Sequence, residues 1–212
     1  MSDADLVTDP RGGRERILAV AMNILEERGE AALRFTEIAE QAHVALSVIT
    51  HHFGTREGLI TELHALRYVG VTRHFHEALQ RLVETATTRE EFAAGVAAIT
   101  TANFDPDLAE NRLARVVSIG AIHGRPRLAG MIRHEATLLI DRMTRVITTG
   151  QARGLIDPDV DPRAVATFIQ AYAIGMVETY LDERPAPPDV VVGVVMRAVG
   201  VFMTDPTGTG PN

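Results

Sequence analysis

Apolar residues recur every three to four positions along almost the whole chain, the spacing that lines one face of an α-helix. Ile17, Leu18, Ala21, Ile24 and Leu25 make the first such face, between Arg14 and Arg28, and Gly29 follows where helices commonly end in a left-handed residue. Two shorter faces come next, Ile38, Ala39 and Ala42 and then Ile49 and Phe53, close enough together to read as two brief helices joined by a tight turn. Thr55 can cap the next start. From there the pattern predicts helices over 56–86, 89–103, 107–123, 127–152, 162–183 and 188–203, set apart by Pro106, Pro126, Gly154, Pro158, Pro162 and the Pro185–Pro188 cluster. Val190–Met203 is rich enough in Val to suit a strand. Its small or polar positions, Gly193, Arg197, Gly200 and Thr204, recur at intervals of four, three and four, so a helix is expected there too, opened by Pro188 and Asp189. The fold class is therefore all-α, about nine helices, with residues 1–55 as an N-terminal three-helix domain and 56–212 as a helical bundle. Residues 1–13 and 204–212, rich in Gly, Pro, Asp and Thr, read as frayed ends, with Arg11 and Arg14 available as a short arm.

The pair of short helices carries the strongest functional signal. Ile38, Ala39, Ala42, Val44, Ile49 and Phe53 supply a shared apolar face, with small Ala39 and Ala42 where two backbones must approach, which is the pattern of a helix-turn-helix. In that geometry the second helix enters the major groove of double-stranded DNA while the first crosses the backbone. Ser47, Val48, Thr50, His51 and His52 are left pointing outward. Ser47 and Thr50 can donate or accept at base edges or phosphates, and Val48 can touch a thymine methyl. The expected DNA-binding set is Thr36, Ser47, Val48, Thr50, His51, His52 and Arg56, with Thr36, His52 and Arg56 near the groove edges. Thr36 has an alternative as the cap of its own helix, and Arg34 as a solvated surface charge.

Ile38-Ala39-Glu40-Gln41-Ala42, Val44, Ile49, His51-His52-Phe53 and Thr55-Arg56-Glu57 resemble the tetracycline-repressor (TetR) family of transcription regulators. The resemblance covers about fifty residues in detail and the whole chain in plan. It implies a three-helix reading domain, a long connecting helix, a ligand-binding and dimerising bundle, and Arg56 at a phosphate. His43, Ala45, Leu46, Ser47 and Thr50 depart from the family pattern of Gly, Ser, Lys, Gly and Tyr. His43 tolerates a left-handed turn better than most residues. Ala45 cannot cap, which costs about 1 kcal/mol. Leu46 removes a cation where the family meets a phosphate, lowering the salt slope by roughly 0.9.

Charge changes this picture only in its distribution. The 212 residues carry a net −7, yet residues 11–75 hold eight Arg and eight Glu, so the reading domain is neutral and its specificity must come from local placement. There is no Lys, and no Cys, which excludes disulfides, thiolate metal sites and thiol redox sensing. The acidic N-terminus lacks an apolar signal region and no uninterrupted apolar run reaches about 18 residues, so a cytoplasmic protein with no membrane contact is expected.

The later helices suggest two further partners. Phe168–Leu181 is apolar over more than half a helix surface and the final helix nearly all round, more than one chain buries; the resemblance implies a homodimer through these helices. A half-site reader also needs a partner to span groove faces about 34 Å apart. Phe92, Phe104, His123, Met131, His134, Phe168, Tyr172 and Met176 are the candidates for lining a partly apolar site for a small-molecule effector, although each suits ordinary packing. No cofactor is expected. An enzyme is not expected either: there is no phosphate-binding glycine loop and no His-Glu-x-x-His, and His51-His52 and His74/His76 diverge on their helices. The alternative is a helical ligand-binding or interaction protein without sequence-specific DNA recognition. The resemblance implies repression relieved by ligand, transmitted by the helix from Arg56 to Ala86.

Overall fold

A computed structural model describes residues 10–105 and 108–203, apart from the side chains of Pro10, Arg11, Val71 and Thr72. The expected ends 1–9 and 204–212, and the break at Pro106, lie outside the described residues. Helix α1 (Pro10–Arg28) is followed by a single 3-10 turn (Glu30–Ala32), then α2 (Phe35–Ala42), α3 (Leu46–Phe53) and the long α4 (Arg56–Thr85). The remainder is α5 (Arg89–Ala102), α6 (Ala109–Gly120), α7 (Pro126–Ala152), α8 (Pro162–Gly175), the short α9 (Glu178–Leu181) and α10 (Pro188–Gly200). No strand occurs among the described residues. Residues 10–13, expected to fray, already belong to α1.

Two differences from the expected spans have local causes. The helix expected over 162–183 is interrupted after Gly175, where Val177, Thr179 and Tyr180 bond back three residues instead of four and Thr179 Oγ1 turns onto the Met176 carbonyl. Such tightening ends the α-helical ladder and re-aims the chain. The last helix, in turn, stops at Gly200, and Asp157 N–H binds the Phe202 carbonyl at 3.0 Å, tying this end to the loop before α8.

The N-terminal head packs α1, α2 and α3 around Ile17, Ala21, Leu33, Ile38, Ile49 and Phe53, and this core also takes in Leu59, Ile60 and Leu63 of α4. Further along, α4 contributes Tyr68 to a small cluster with Leu128, Ile132 and Leu139, and Leu79 and Val83 to the main core of the body. One helix therefore runs through every core. Its start is well defined: Thr55 Oγ1 accepts from Gly58 N–H at 3.1 Å, and Gly58 is required because a Cβ there would stand 2.1 Å from the Phe53 carbonyl oxygen. α4 packs chiefly on α6 and α7, α7 on α8, and α10 on α5.

Candidate functional site

The turn between α2 and α3 is closed by His43, left-handed at φ 52° and ψ 51°, with Val44 N–H on the Ala39 carbonyl at 3.0 Å. Ala45 occupies the N-cap of α3 in extended conformation without a side-chain bond, and Leu46 beside it is 47% exposed. Ser47, Thr50 and His51, spaced as i, i+3 and i+4, are all exposed and form one outward face. Thr50 Oγ1 donates to the Leu46 carbonyl at 3.2 Å, which leaves its lone pairs free to accept. His52 is half-buried, its ring edge-on to Phe53 with centroids 6.0 Å apart.

Two of the expected contact residues are engaged within the chain. Val48 stands back from this face; it is half-buried and packs on the head core, with Gly13 of α1 nearby. Arg56 is engaged within the chain: Nε donates to the Leu33 carbonyl at 2.9 Å and Nη2 to the Glu30 carbonyl, so it fastens the start of α4 to the 3-10 turn. Thr36 is not a cap, since Arg34 holds the N-cap position of α2, and its exposed hydroxyl sits on the first turn. Arg14 pairs with Glu62, Arg16 with the Ala42 carbonyl and Arg28 with Glu37. Arg34, by contrast, is exposed and has no partner among the described residues.

The head is joined to the body by a polar cluster. The Glu30 carboxylate accepts from Arg125 Nη1 at 2.9 Å and Nη2 at 2.6 Å, and from Nε2 of buried His64 at 2.8 Å. His64 Nδ1 lies 3.1 Å from Ser118 Oγ on α6. Arg125, in the turn between α6 and α7, also approaches Glu57 at 3.3 Å. The bidentate Arg125 contact, with help from His64, holds the Glu30 carboxyl at about 2, well below its ordinary value, although partial burial opposes the shift. Glu30 is thus ionised wherever the protein is folded near neutrality.

The body holds a partly open cavity of about 120 Å³ lined by α4, α5, α6, α7, α8 and α10. Phe92, Phe168, Tyr172 and Met176 are among its lining residues. The other four expected residues are not brought there: Phe104 is half-buried in the turn after α5, Met131 is half-buried on α7, and His123 and His134 are exposed. His123 stands in the turn after α6, and His134 on the solvent side of α7, whose opposite face is packed.

Arg112, Arg115, Gln170 and Asn103 supply the polar points of the cavity instead. On α6 the ordinary pattern is inverted. Arg112, Arg115 and Ser118 are buried while Leu113 and Val117 are 39% and 54% exposed. Charge is normally read as a solvated face, so these arginines were missed; their spacing of three with Ser118 was the available signal. Arg115 donates to Gln170 Oε1 at 3.1 Å and lies over the Tyr68 ring. Gln170 Nε2 in turn donates to His76 Nε2 at 2.9 Å. Burial, with the charges of Arg115 and Arg142, pushes the His76 pKa down to about 4, which keeps the ring a neutral acceptor. Burial also raises the Tyr172 phenol, so it remains a donor.

These features define a two-part all-α regulator scaffold: a helix-turn-helix head on a body with an internal cavity. Residues 17–63 match the model of the bacterial regulatory proteins of the tetR family, and residues 93–179 match the tetracyclin repressor-like C-terminal domain. The chain belongs to the TetR family and is a helix-turn-helix DNA-binding transcription regulator. Solved structures share the fold. A protein described as a TetR-family regulator from Rhodococcus sp. is 19% identical with TM-score 0.65, covering 92% of this chain and 100% of its own. GusR of Salmonella enterica is 22% identical with TM-score 0.61, covering 94% and 100%, and reduced Escherichia coli NemR is 16% identical with TM-score 0.62, covering 92% and 99%. No curated protein matches the sequence.

Proposed function

We propose that this regulator works as a homodimer that reads a palindromic operator and is released from it by a small molecule bound in the body cavity. The observation that carries this reading is the course of α6. Arg112 and Arg115 face the cavity, and one turn further on Ser118 meets His64, which holds Glu30 of the head. A ligand that shifts α6 therefore acts on the joint of the head through two contacts. Coupling of the usual size, about 1–3 kcal/mol, requires only that the ligand prefer one arrangement of that joint. Ser47, Thr50 and His51 are assigned to base edges, and Thr36 with Arg34 at the start of α2 to phosphates, where the helix dipole favours an anion.

A second copy of the chain is the proposed cover for the open apolar side of α8 to α10. Phe168, Leu181, Val190, Val194 and Val201 are each between 45% and 65% exposed there. The stretch Pro162–Leu181 also has the length and mean hydropathy, 1.2, of a membrane span and packs little within one chain, but its helix is broken after Gly175. A protein–protein seam suits a kinked, half-packed helix better than a bilayer does. Sedimentation of the purified chain, alone and with an operator fragment, tests the reading. A dimer alone and two protomers on one palindrome are expected; monomer at micromolar concentration, with or without DNA, would refute it.

A further inference from the structure

The cavity contains two buried cations and, among the described residues, no anion to meet them. Arg112 and Arg115 are 6% and 4% exposed, and neither has a carboxylate within ion-pair distance among the described residues. Their partners are neutral: Asn103 Oδ1 at 3.2 Å and the Tyr180 hydroxyl for Arg112, Gln170 and the Tyr68 hydroxyl for Arg115. Arg115 Nε and the Tyr172 hydroxyl are buried with no hydrogen-bond partner among the described residues. A buried charge without a counter-charge, and buried donors without acceptors, are each costly, and native proteins retain them where a ligand completes the set. The remaining lining is apolar, with Phe92, Phe168, Val195 and Val199 closing it on several sides.

We infer that the effector is a small apolar molecule with a single anionic head, a carboxylate in its simplest form, whose head is taken by Arg112, Arg115 and the Tyr172 hydroxyl. This rests on the reading of the cavity as an effector site. A carboxylate cancels one of the two charges and accepts from the donors now left over; a neutral amide of the same shape accepts fewer bonds and cancels nothing. Size narrows the body of the ligand. At about 120 Å³ the cavity is somewhat smaller than the roughly 150 Å³ that takes benzene, but it is partly open, so one ring or a short acyl chain is the upper limit.

The test uses benzoate and hexanoate beside benzamide and hexanamide, with the full-length protein, by calorimetry and by thermal shift. The acids are expected to bind more tightly than the amides by roughly ten- to a hundredfold, the range of charge-assisted hydrogen bonds to a buried partner. Arg115→Met keeps a long side chain and removes the charge; with the fold verified by its helix signal and melting temperature, the ratio of acid to amide affinity falls towards one. Tyr172→Phe removes a single oxygen and should weaken the acids several-fold with the fold intact. Equal affinity for acids and amides, no binding of either pair, or an unchanged ratio in Arg115→Met would overturn the inference. An operator-bound sample separates it from the reading beneath it. Acids that bind selectively and leave the operator occupied uphold the anion site and refute ligand-responsive release; amides that release the operator as well as the acids uphold release and refute the anion site.

Discussion

Glu30→Gln should weaken the joint between head and body by an amount that the structure bounds. The Glu30 carboxyl is held at about 2 against an ordinary 4.5, and each pKa unit is worth about 1.4 kcal/mol, which sets an upper bound of about 3 kcal/mol for the ionised network. Glu30 and Arg125 are 29% and 28% exposed in their side chains, so solvent screening reduces the expected pairwise value to about 1–2 kcal/mol. A double-mutant cycle of Glu30→Gln and Arg125→Gln, followed by urea unfolding at pH 7, reads that value directly. Gln still accepts from His64, which keeps the cycle confined to the pair. The pH dependence has a definite sign. Because the folded pKa lies below the unfolded one, the stabilisation is complete above about pH 4.5 and is lost as pH falls towards 2. The gap between wild type and Glu30→Gln should therefore close over that window. A coupling energy indistinguishable from zero, or a gap that does not change with pH, would refute the argument.

Other consequences can be checked in parallel. His76 is held neutral with its pKa at about 4 against 6.5; its folded value is depressed, so the protein should lose stability, by at most about 3 kcal/mol, as pH falls from about 6.5 to 4, and unfolding of His76→Gln should show a shallower slope. Arg34→Ala should lower the salt slope of operator binding by about 0.9 per half-site, whereas Arg56→Ala, which severs contacts to Leu33 and Glu30, should keep the slope and cost the head about 1 kcal/mol in chemical denaturation. Val194→Asp places a charge on the proposed seam, where Val194 is 62% exposed; sedimentation should show monomer with an unchanged far-ultraviolet helix signal.

Helical spacing alone made most of this fold legible. Pro126, Pro162 and Pro188 stand at the starts of α7, α8 and α10, and Thr55 caps α4 through its hydroxyl. The interruption after Gly175 escaped because no proline marks it; a change from four-residue to three-residue bonding leaves the apolar pattern intact. In the reading head the outward positions of Ser47, Thr50 and His51 followed from periodicity, but Val48 turns partly into the packing of the head, which its place on the helix alone does not reveal. The partners of Arg56 were hidden for a related reason: they are backbone carbonyls 23 and 26 positions away. The aromatic and sulfur side of the cavity was visible in Phe92, Phe168, Tyr172 and Met176, while its chemistry was hidden in arginines that face inward.

The most direct test of effector-controlled operator reading is selection of sites from random duplex DNA with the purified protein, followed by binding to the selected site across a range of salt with and without hexanoate. A two-fold symmetric site held by a dimer at physiological salt, and vacated when the acid is added, is the predicted result. No enriched sequence, with only weak binding that disappears at physiological salt, would contradict it.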